Sequence, residues 1–408
     1  MRLYFPHNFL WGSSISSYQT EGENIYSDWF LWEKERGLER AGASANHYKF
    51  FKEDIEIAFS LSHNAFRFSL EWSRIYPHKD NFNEASLKHY KDVIDTLRKY
   101  NITPVVTLHH FTNPIWYAKE GGWLNHKLID YFLCYVKKVV SLLKDNVEYW
   151  IIFNEPVVYV YNGFLKGIWP PGIESTKEAL RALRNILKAY ILSYQEIKSI
   201  YADKKSFLSI AKNMRVFIPC SYLNFGQNNL FSFIRSRFFN FYVLDYLHKN
   251  KCLDFIGLNY YCSEFTKADF SLWGRECTGA HHKLKRNDLG WWVFPFGLYE
   301  LLVKLKKYNL PIIITENGTV ASLDEEYASF MISHIESVVK AINDGVDVRG
   351  YLWWSLLDNF EWDKGYSCRF GLVDVDFNNF SRKIKPFALK YRDICRNNCI
   401  DIEEKDAD

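Results

Sequence analysis

Trp150-Ile151-Ile152-Phe153-Asn154-Glu155-Pro156 and Ile312-Ile313-Ile314-Thr315-Glu316-Asn317-Gly318 decide how this chain is read. Each is a run of β-branched and aromatic residues, the pattern of a buried strand, and each breaks off at a carboxylate and a turn former. A glutamate on the C-terminal lip of a buried strand is where an α/β barrel holds its reactive groups. A single glutamate there could equally cap the next helix or solvate a loop. Two of them, 161 residues apart and each beside an amide residue, point to a pair: one acid and one nucleophile, the set that cleavage of an acetal requires.

Working outward, short β-rich runs recur along the whole chain, each followed by a helical pattern. They are Phe9–Ile15, Asn64–Leu70, Thr103–Leu108, Tyr149–Asn154, Phe207–Ala211, Asp254–Asn259, Pro311–Thr315 and Arg349–Trp354. Eight strands alternating with helices predict an α/β fold, a single (β/α)8 TIM barrel with its active site at the C-terminal ends of the strands. Leu87, Tyr90, Ile94 and Leu97 form an apolar stripe at helical spacing after the second strand; Ile332, Ile335, Val338, Val339 and Ile342 form another. No linker, low-complexity tract or solenoid repeat interrupts the pattern. One domain over residues 1–402 is expected, with 403–408 a frayed acidic tail.

Bulk composition narrows the partners. A net charge of +3, with lysines dispersed along the chain, gives little support to nucleic-acid binding. The densest basic run, Lys283-Leu284-Lys285-Arg286, reads as a solvated loop. No apolar run is long enough for a membrane span, and no leader-like segment is visible, so a cytoplasmic protein is expected. The eight cysteines contain no C-x-x-C pair and read as reduced thiols. Adjacent His109 and His110 are poorly spaced for a metal on a strand that alternates faces, so neither metal nor cofactor is expected. Aromatic residues reach 18%, including 14 Trp. That suits a large aromatic core or a surface that stacks on pyranose rings, and composition does not choose between them.

The strand ends gather Gln19, Glu21, Arg67, His109, His110, Asn154, Glu155, Asn259, Tyr260, Tyr261, Glu316 and Trp354 to Trp362; strand five, with Asn213 nearby, contributes least. Amides, carboxylates, a histidine and indoles are what a pyranose needs. The motifs, in order, are Phe9-Leu10-Trp11-Gly12 through Tyr18-Gln19-Thr20-Glu21-Gly22, Phe66-Arg67-Phe68-Ser69-Leu70-Glu71-Trp72-Ser73-Arg74-Ile75, Asn154-Glu155-Pro156, Thr315-Glu316-Asn317-Gly318, and Trp354-Ser355-Leu356-Leu357-Asp358-Asn359-Phe360-Glu361-Trp362. On these the chain resembles, over nearly its full length, glycoside hydrolase family 1, the family of retaining β-glucosidases and β-galactosidases.

That resemblance implies hydrolysis of terminal β-D-glucosyl residues, with β-galactosyl and β-fucosyl residues also accepted, by double displacement. Small β-glycosides or oligosaccharides are the implied partners; oligomeric state is left unread. It implies Glu316 as nucleophile, Glu155 as acid/base, and Arg67 and Tyr261 as the groups that keep Glu316 ionised. Glu155, with no such cation and facing aromatic walls, is expected to hold its proton to higher pH. Asn154 is implied at the 2-hydroxyl, Gln19 and His110 at the 3- and 4-hydroxyls, and Glu361 at the 4- and 6-hydroxyls with Trp362 beside it. Asn259 and Phe111 complete the binding set. Trp354 is the implied stacking floor, with a cis Trp354–Ser355 peptide. Glu361 disfavours 6-phosphosugars by charge repulsion, and Glu155 favours O-glycosides over thioglycosides.

The chain departs from the family in His110-Phe111-Thr112-Asn113-Pro114, where Phe111 replaces an indole that would donate to the sugar. Pro170-Pro171-Gly172 passes quickly into the next helix and Thr319–Asp324 lacks the family's usual acidic-plus-arginine pattern, which suggests an open leaving-group side. Two other readings stay open: a catalytically silent carbohydrate-binding barrel, and an enzyme that mainly transglycosylates with the same residues.

Overall fold

The computed structural model describes residues 2–202, 204–220, 225–268, 275–277 and 284–401. Its centre is a closed barrel of eight parallel strands. We label them β1 (Leu10–Ser14), β2 (Ala65–Ser69), β3 (Thr103–His109), β4 (Tyr149–Asn154), β5 (Phe207–Met214), β6 (Ile256–Tyr260), β7 (Ile312–Asn317) and β8 (Val348–Trp354). Neighbours in sequence are neighbours in the wall, and β8 pairs with β1 to close it. All eight predicted runs are strands. The one real difference is β5, which continues three residues past its predicted end and so carries Lys212 and Asn213 inside the barrel wall.

Eight outer helices cover the wall: α1 (His47–Ser60), α2 (Glu84–Lys99), α3 (Ile129–Leu143), α4 (Thr176–Tyr201), α5 (Tyr242–Lys249), α6 (Pro295–Leu305), α7 (Asp324–Asn343) and α8 (Pro386–Asn397). The reason α2 forms is plain in its sequence. Asn83 accepts the Ser86 N–H at its start, and the predicted stripe of Leu87, Tyr90, Ile94 and Leu97 is buried against the strands. Each such burial contributes about 1.5–3 kcal/mol of transfer free energy. In α7, Ile335, Val338 and Val339 are buried in the same way, while Ile332 and Ile342 are only partly covered. Among the described residues no helix is long and apolar enough to cross a membrane.

Cys220 and Cys277 are joined as a disulfide, with Cα atoms 6.5 Å apart, which corrects the reading of all eight cysteines as reduced. They flank the strand Glu264–Lys267: the Cys220 N–H donates to the Thr266 carbonyl and the Cys277 N–H to that of Phe265. That meeting is a product of tertiary pairing and leaves no trace in sequence spacing. The tail 403–408, and Lys283 of the basic run, lie outside the described residues.

The seam between β1 and β2 admits no side chain at Gly12. A methyl group there would collide with the Ala65 carbonyl oxygen, which is held in the sheet and cannot withdraw. Gly12→Ala is therefore expected to lose stability at the upper end of the usual overpacking cost, about 2–3 kcal/mol. Urea unfolding measures it, and an unchanged midpoint would show that the seam has slack.

Candidate active site

Arg67 lies in the barrel lumen, 1% exposed. Its guanidinium spends its donors on four acceptors: the Thr107 hydroxyl at 3.1 Å, the Asn154 side-chain oxygen at 2.7 Å, the Thr315 carbonyl at 3.3 Å, and a carboxylate oxygen of Glu316 in a direct ion pair. The Tyr261 hydroxyl donates to the other Glu316 oxygen at 2.5 Å. Glu316 is thus held from both sides, by a cation and by a phenol, at the tip of β7. Gly318 follows for a steric reason, since a methyl there would strike the Trp354 carbonyl oxygen.

Glu155 has a different environment. Asn259 donates to its Oε1 at 2.7 Å and Asn213 to the same oxygen at 3.1 Å. The two amides stand side by side because Asn213 and Asn259 are register partners across β5 and β6. Asn259 also donates to the Asn154 oxygen at 3.2 Å, so an unbroken chain runs from Glu155 through Asn259, Asn154 and Arg67 to Glu316. Burial, and then the charge of Glu316, push the Glu155 carboxyl up to about 7, against the bonds from Asn259 and Asn213. The two strand-tip carboxyl groups thus differ in character: Glu316 is ion-paired, while Glu155 meets only amide donors and holds its proton to higher pH.

Gln19, His110, Phe111, Trp354, Glu361 and Trp362 gather beside these two carboxyl groups. Gln19 donates to Glu361 at 2.9 Å. Burial pushes the Glu361 carboxyl up to about 8, with the charges of Asp363, Glu316 and Glu155 adding to it and the Gln19 bond opposing. Burial thus favours the neutral form of Glu361, which weakens the charge repulsion expected against a 6-phosphate. His110 meets Asn154 through Nε2 at 3.1 Å, and its buried Nδ1 has no partner. Burial, with Arg67 beside it, holds this imidazole neutral. His110 lies near-parallel to both Trp354 and Trp362, with ring centroids 6.0 and 6.3 Å away. The Trp354–Ser355 peptide is cis, as the resemblance implied. Glu155, Phe111 and Trp362 all take positive φ, at 42°, 72° and 48°. Such conformations cost about 1–3 kcal/mol each for residues of this size and persist where packing over-determines them.

Three members of the predicted constellation point elsewhere. Glu21 pairs with Arg74 and accepts from Tyr90. His109 turns to Asn113 and packs on Phe153. The Tyr260 hydroxyl donates to the Phe294 carbonyl. Two expectations about β5 are overturned. It is not the weakest contributor, since Asn213 bonds Glu155 directly. Nor is Glu155 without a cation nearby: the buried Lys212 acts on it electrostatically, though less than burial does. Both follow from the three residues by which β5 exceeds its predicted end. Trp169 was also missed. It packs on Phe111 (5.1 Å) and Trp362 (5.7 Å) and donates its N–H to Asp363 at 2.8 Å, bridging the loops after β4 and β8. The indole absent at position 111 is thus supplied beside it from another loop, with its donor already engaged.

Comparison with known proteins places this geometry. The family model for glycosyl hydrolase family 1 matches residues 1–246 and 234–400. The chain is 32% identical to a 1,4-beta-D-glucan glucohydrolase of Thermotoga neapolitana, over 97% of this chain and 98% of that protein. Among solved structures it resembles a beta-glycosidase from Pyrococcus horikoshii at 36% identity and TM-score 0.93, covering 98% and 97% of the two chains. It also resembles a family 1 β-glucosidase from Thermotoga maritima at 31% identity and TM-score 0.91, covering 98% and 99%.

The raised Glu155 carboxyl has a stability consequence. Its folded value near 7 exceeds the ordinary 4.5, so the unfolded chain releases this proton first. As pH rises from about 4.5 through 7, the native state loses stability, by roughly 3 kcal/mol for this group alone. Glu155→Gln removes that loss. It is expected to match the parent near pH 4 and to exceed it at pH 8 in urea unfolding; an equal difference at both pH values would contradict the assignment.

Proposed function

The chain belongs to glycosyl hydrolase family 1, and from that footing we propose that this retaining β-glycosidase uses Glu316 as its nucleophile and Glu155 as its acid/base on terminal β-D-glucosyl residues. The observation that carries the assignment is the contrast between the two carboxyl groups. Glu316 sits against Arg67 and Tyr261, which suits a group that must attack as an anion. Glu155 has only amide donors in direct contact and a carboxyl near neutrality, which suits a group that must first give a proton and later take one.

In the first step a Glu316 oxygen bonds to the anomeric carbon as the bond to the leaving oxygen breaks, and the Glu155 proton passes to that oxygen. Glu316 loses its charge in becoming an ester, which removes one of the two effects holding the Glu155 carboxyl up. In the second step Glu155 takes a proton from water, the water oxygen bonds to the anomeric carbon, and the ester to Glu316 breaks. Asn154, held between Arg67, Asn259 and His110, is oriented to bond the 2-hydroxyl as the ring flattens toward its oxocarbenium-like transition state. Gln19, His110 and Glu361 take the outer hydroxyls. Trp354 floors the ring, with Trp362 and Phe111 forming its side wall. Glu361 and Gln19 accommodate either C4 epimer, so galactosyl and fucosyl substrates fall within this reading. Small β-glycosides are the substrates and the cytoplasm is the compartment in this reading, with the Cys220–Cys277 pair as the one feature that favours an oxidising one.

Proton NMR of an aryl β-D-glucoside during turnover is expected to show β-glucose first; α-glucose first would overturn the double displacement. In Glu155→Ala, kcat/KM on an alkyl β-glucoside is expected to fall about 10²–10⁴-fold, with a much smaller loss on a 2,4-dinitrophenyl glucoside and azide diverting the product to β-glucosyl azide. Equal losses on both substrates would remove Glu155 from the acid role.

A further inference from the structure

Strand β5 ends in Ala211-Lys212-Asn213-Met214. Successive side chains on a strand point to opposite faces. Asn213 turns inward to Glu155, and Lys212 turns out of the lumen, yet Lys212 is completely buried. A buried lysine is rare and costly unless something compensates its charge. Its Nζ lies 4.4 Å from the ring centroid of Phe239 and donates to the carbonyl oxygen of Asn213 itself. No described carboxylate is within ion-pair distance of it.

The charged groups around it account for that. Arg215, further along the same segment, also faces the Phe239 ring, at 5.4 Å. It pairs with Glu264 at 3.4 Å, and Arg235 takes the other oxygen of the same carboxylate at 2.5 Å. Glu264 is therefore shared by two guanidinium groups. Among the described residues Lys212 reaches Glu155 through Asn213, whose carbonyl accepts from Lys212 and whose side-chain amide donates to Glu155 at 3.1 Å. Burial pushes the Lys212 amine down to about 7; Glu155 raises it and Arg215 lowers it. In return Lys212 lowers the Glu155 carboxyl, against the larger upward push of burial.

We propose that Lys212 is a positioning residue for the acid/base: from behind the barrel wall it anchors the Asn213 backbone and supplies the positive charge that favours Glu155 as a carboxylate. The benefit falls on the second half-reaction, where Glu155 must accept a proton from water. The inference rests on Glu155 being the acid/base, and it adds a control on that group by a residue that never touches the sugar.

The test is the pH dependence of kcat/KM on 4-nitrophenyl β-D-glucoside for the parent, Lys212→Gln, Lys212→Met and Lys212→Arg, each first shown to unfold cooperatively. Without the charge, Glu155 keeps its proton longer. The alkaline limb is expected to move up by about half a unit to one unit in the Gln and Met variants, the size of a nearby opposite charge partly screened by distance. Lys212→Arg, which keeps a permanent charge, is expected to leave the limb in place or lower it. On 2,4-dinitrophenyl β-D-glucoside, where deglycosylation limits turnover, kcat is expected to fall in the two neutral variants. A limb that stays put in a folded Gln or Met variant overturns the proposal. The same profile for Glu155→Gln separates the two readings: an alkaline limb that survives there refutes Glu155 as the acid, whatever Lys212 does.

Discussion

The pairing of Arg67 with Glu316 is the constraint on which the rest of the site depends. A guanidinium removed from water costs several kcal/mol unless each donor finds an acceptor and the charge finds a counterion. Here the acceptors come from β3, β4 and β7 while the arginine stands on β2. Two strands, β8 and β1, separate β2 from β7 round the wall, so the ion pair crosses the interior of the barrel. It acts as a strut and as an electrostatic reference. Asn154 is aligned because Arg67 needs its oxygen, and Asn259 is aligned because it shares that oxygen.

From this reference the two glutamates acquire opposite characters. Both close a β-branched run, and both are followed by a turn former. Their difference comes wholly from partners distant in sequence: Arg67 and Tyr261 for one, Asn213 and Asn259 for the other. Tyr18, Trp29, Phe111 and Trp169 all pack on Trp362, so the indole that follows Glu361 belongs to a buried aromatic cluster. Tyr18 and Trp362 lie almost parallel, 8° apart at 5.8 Å, which fixes the indole next to Glu361 in a left-handed backbone conformation it would not adopt alone.

What was legible in the sequence follows the range of the interactions. The strands were legible because burial on both faces writes a continuous apolar run, and the carboxylates because such runs end at them. Arg67, Tyr261, Asn154 and Asn259 were reachable through contiguous motifs. The end of β5 was not: Lys212 and Asn213 are polar residues inside a strand, and polarity reads as the end of one. Their compensation, Glu155 for one and the Asn259 register for the other, is visible only in three dimensions. Trp169 was hidden for a similar reason. Its neighbours Phe111, Trp362 and Asp363 come from loops 58 and roughly 194 residues away, and nothing local distinguishes it from a core tryptophan. The disulfide between Cys220 and Cys277 depends on a small sheet outside the barrel and was illegible for the same cause.

The register of β5, β6 and β7 has a wider consequence. Asn259 is opposite Asn213 on one side and opposite Glu316 on the other, so the relative placement of the two carboxyl groups is a property of backbone hydrogen bonding in the wall. Apart from Glu155 and Tyr261, each one residue past its strand, the loops that follow have no part in it. Such a protein separates two kinds of heritable change: insertions and deletions beyond the strand tips alter which glycosides are admitted, while the distance across which a bond is cut and remade is inherited intact. A compact chain like this one can thus shed loop length freely, and a longer relative can acquire it, without either having to rediscover the reaction.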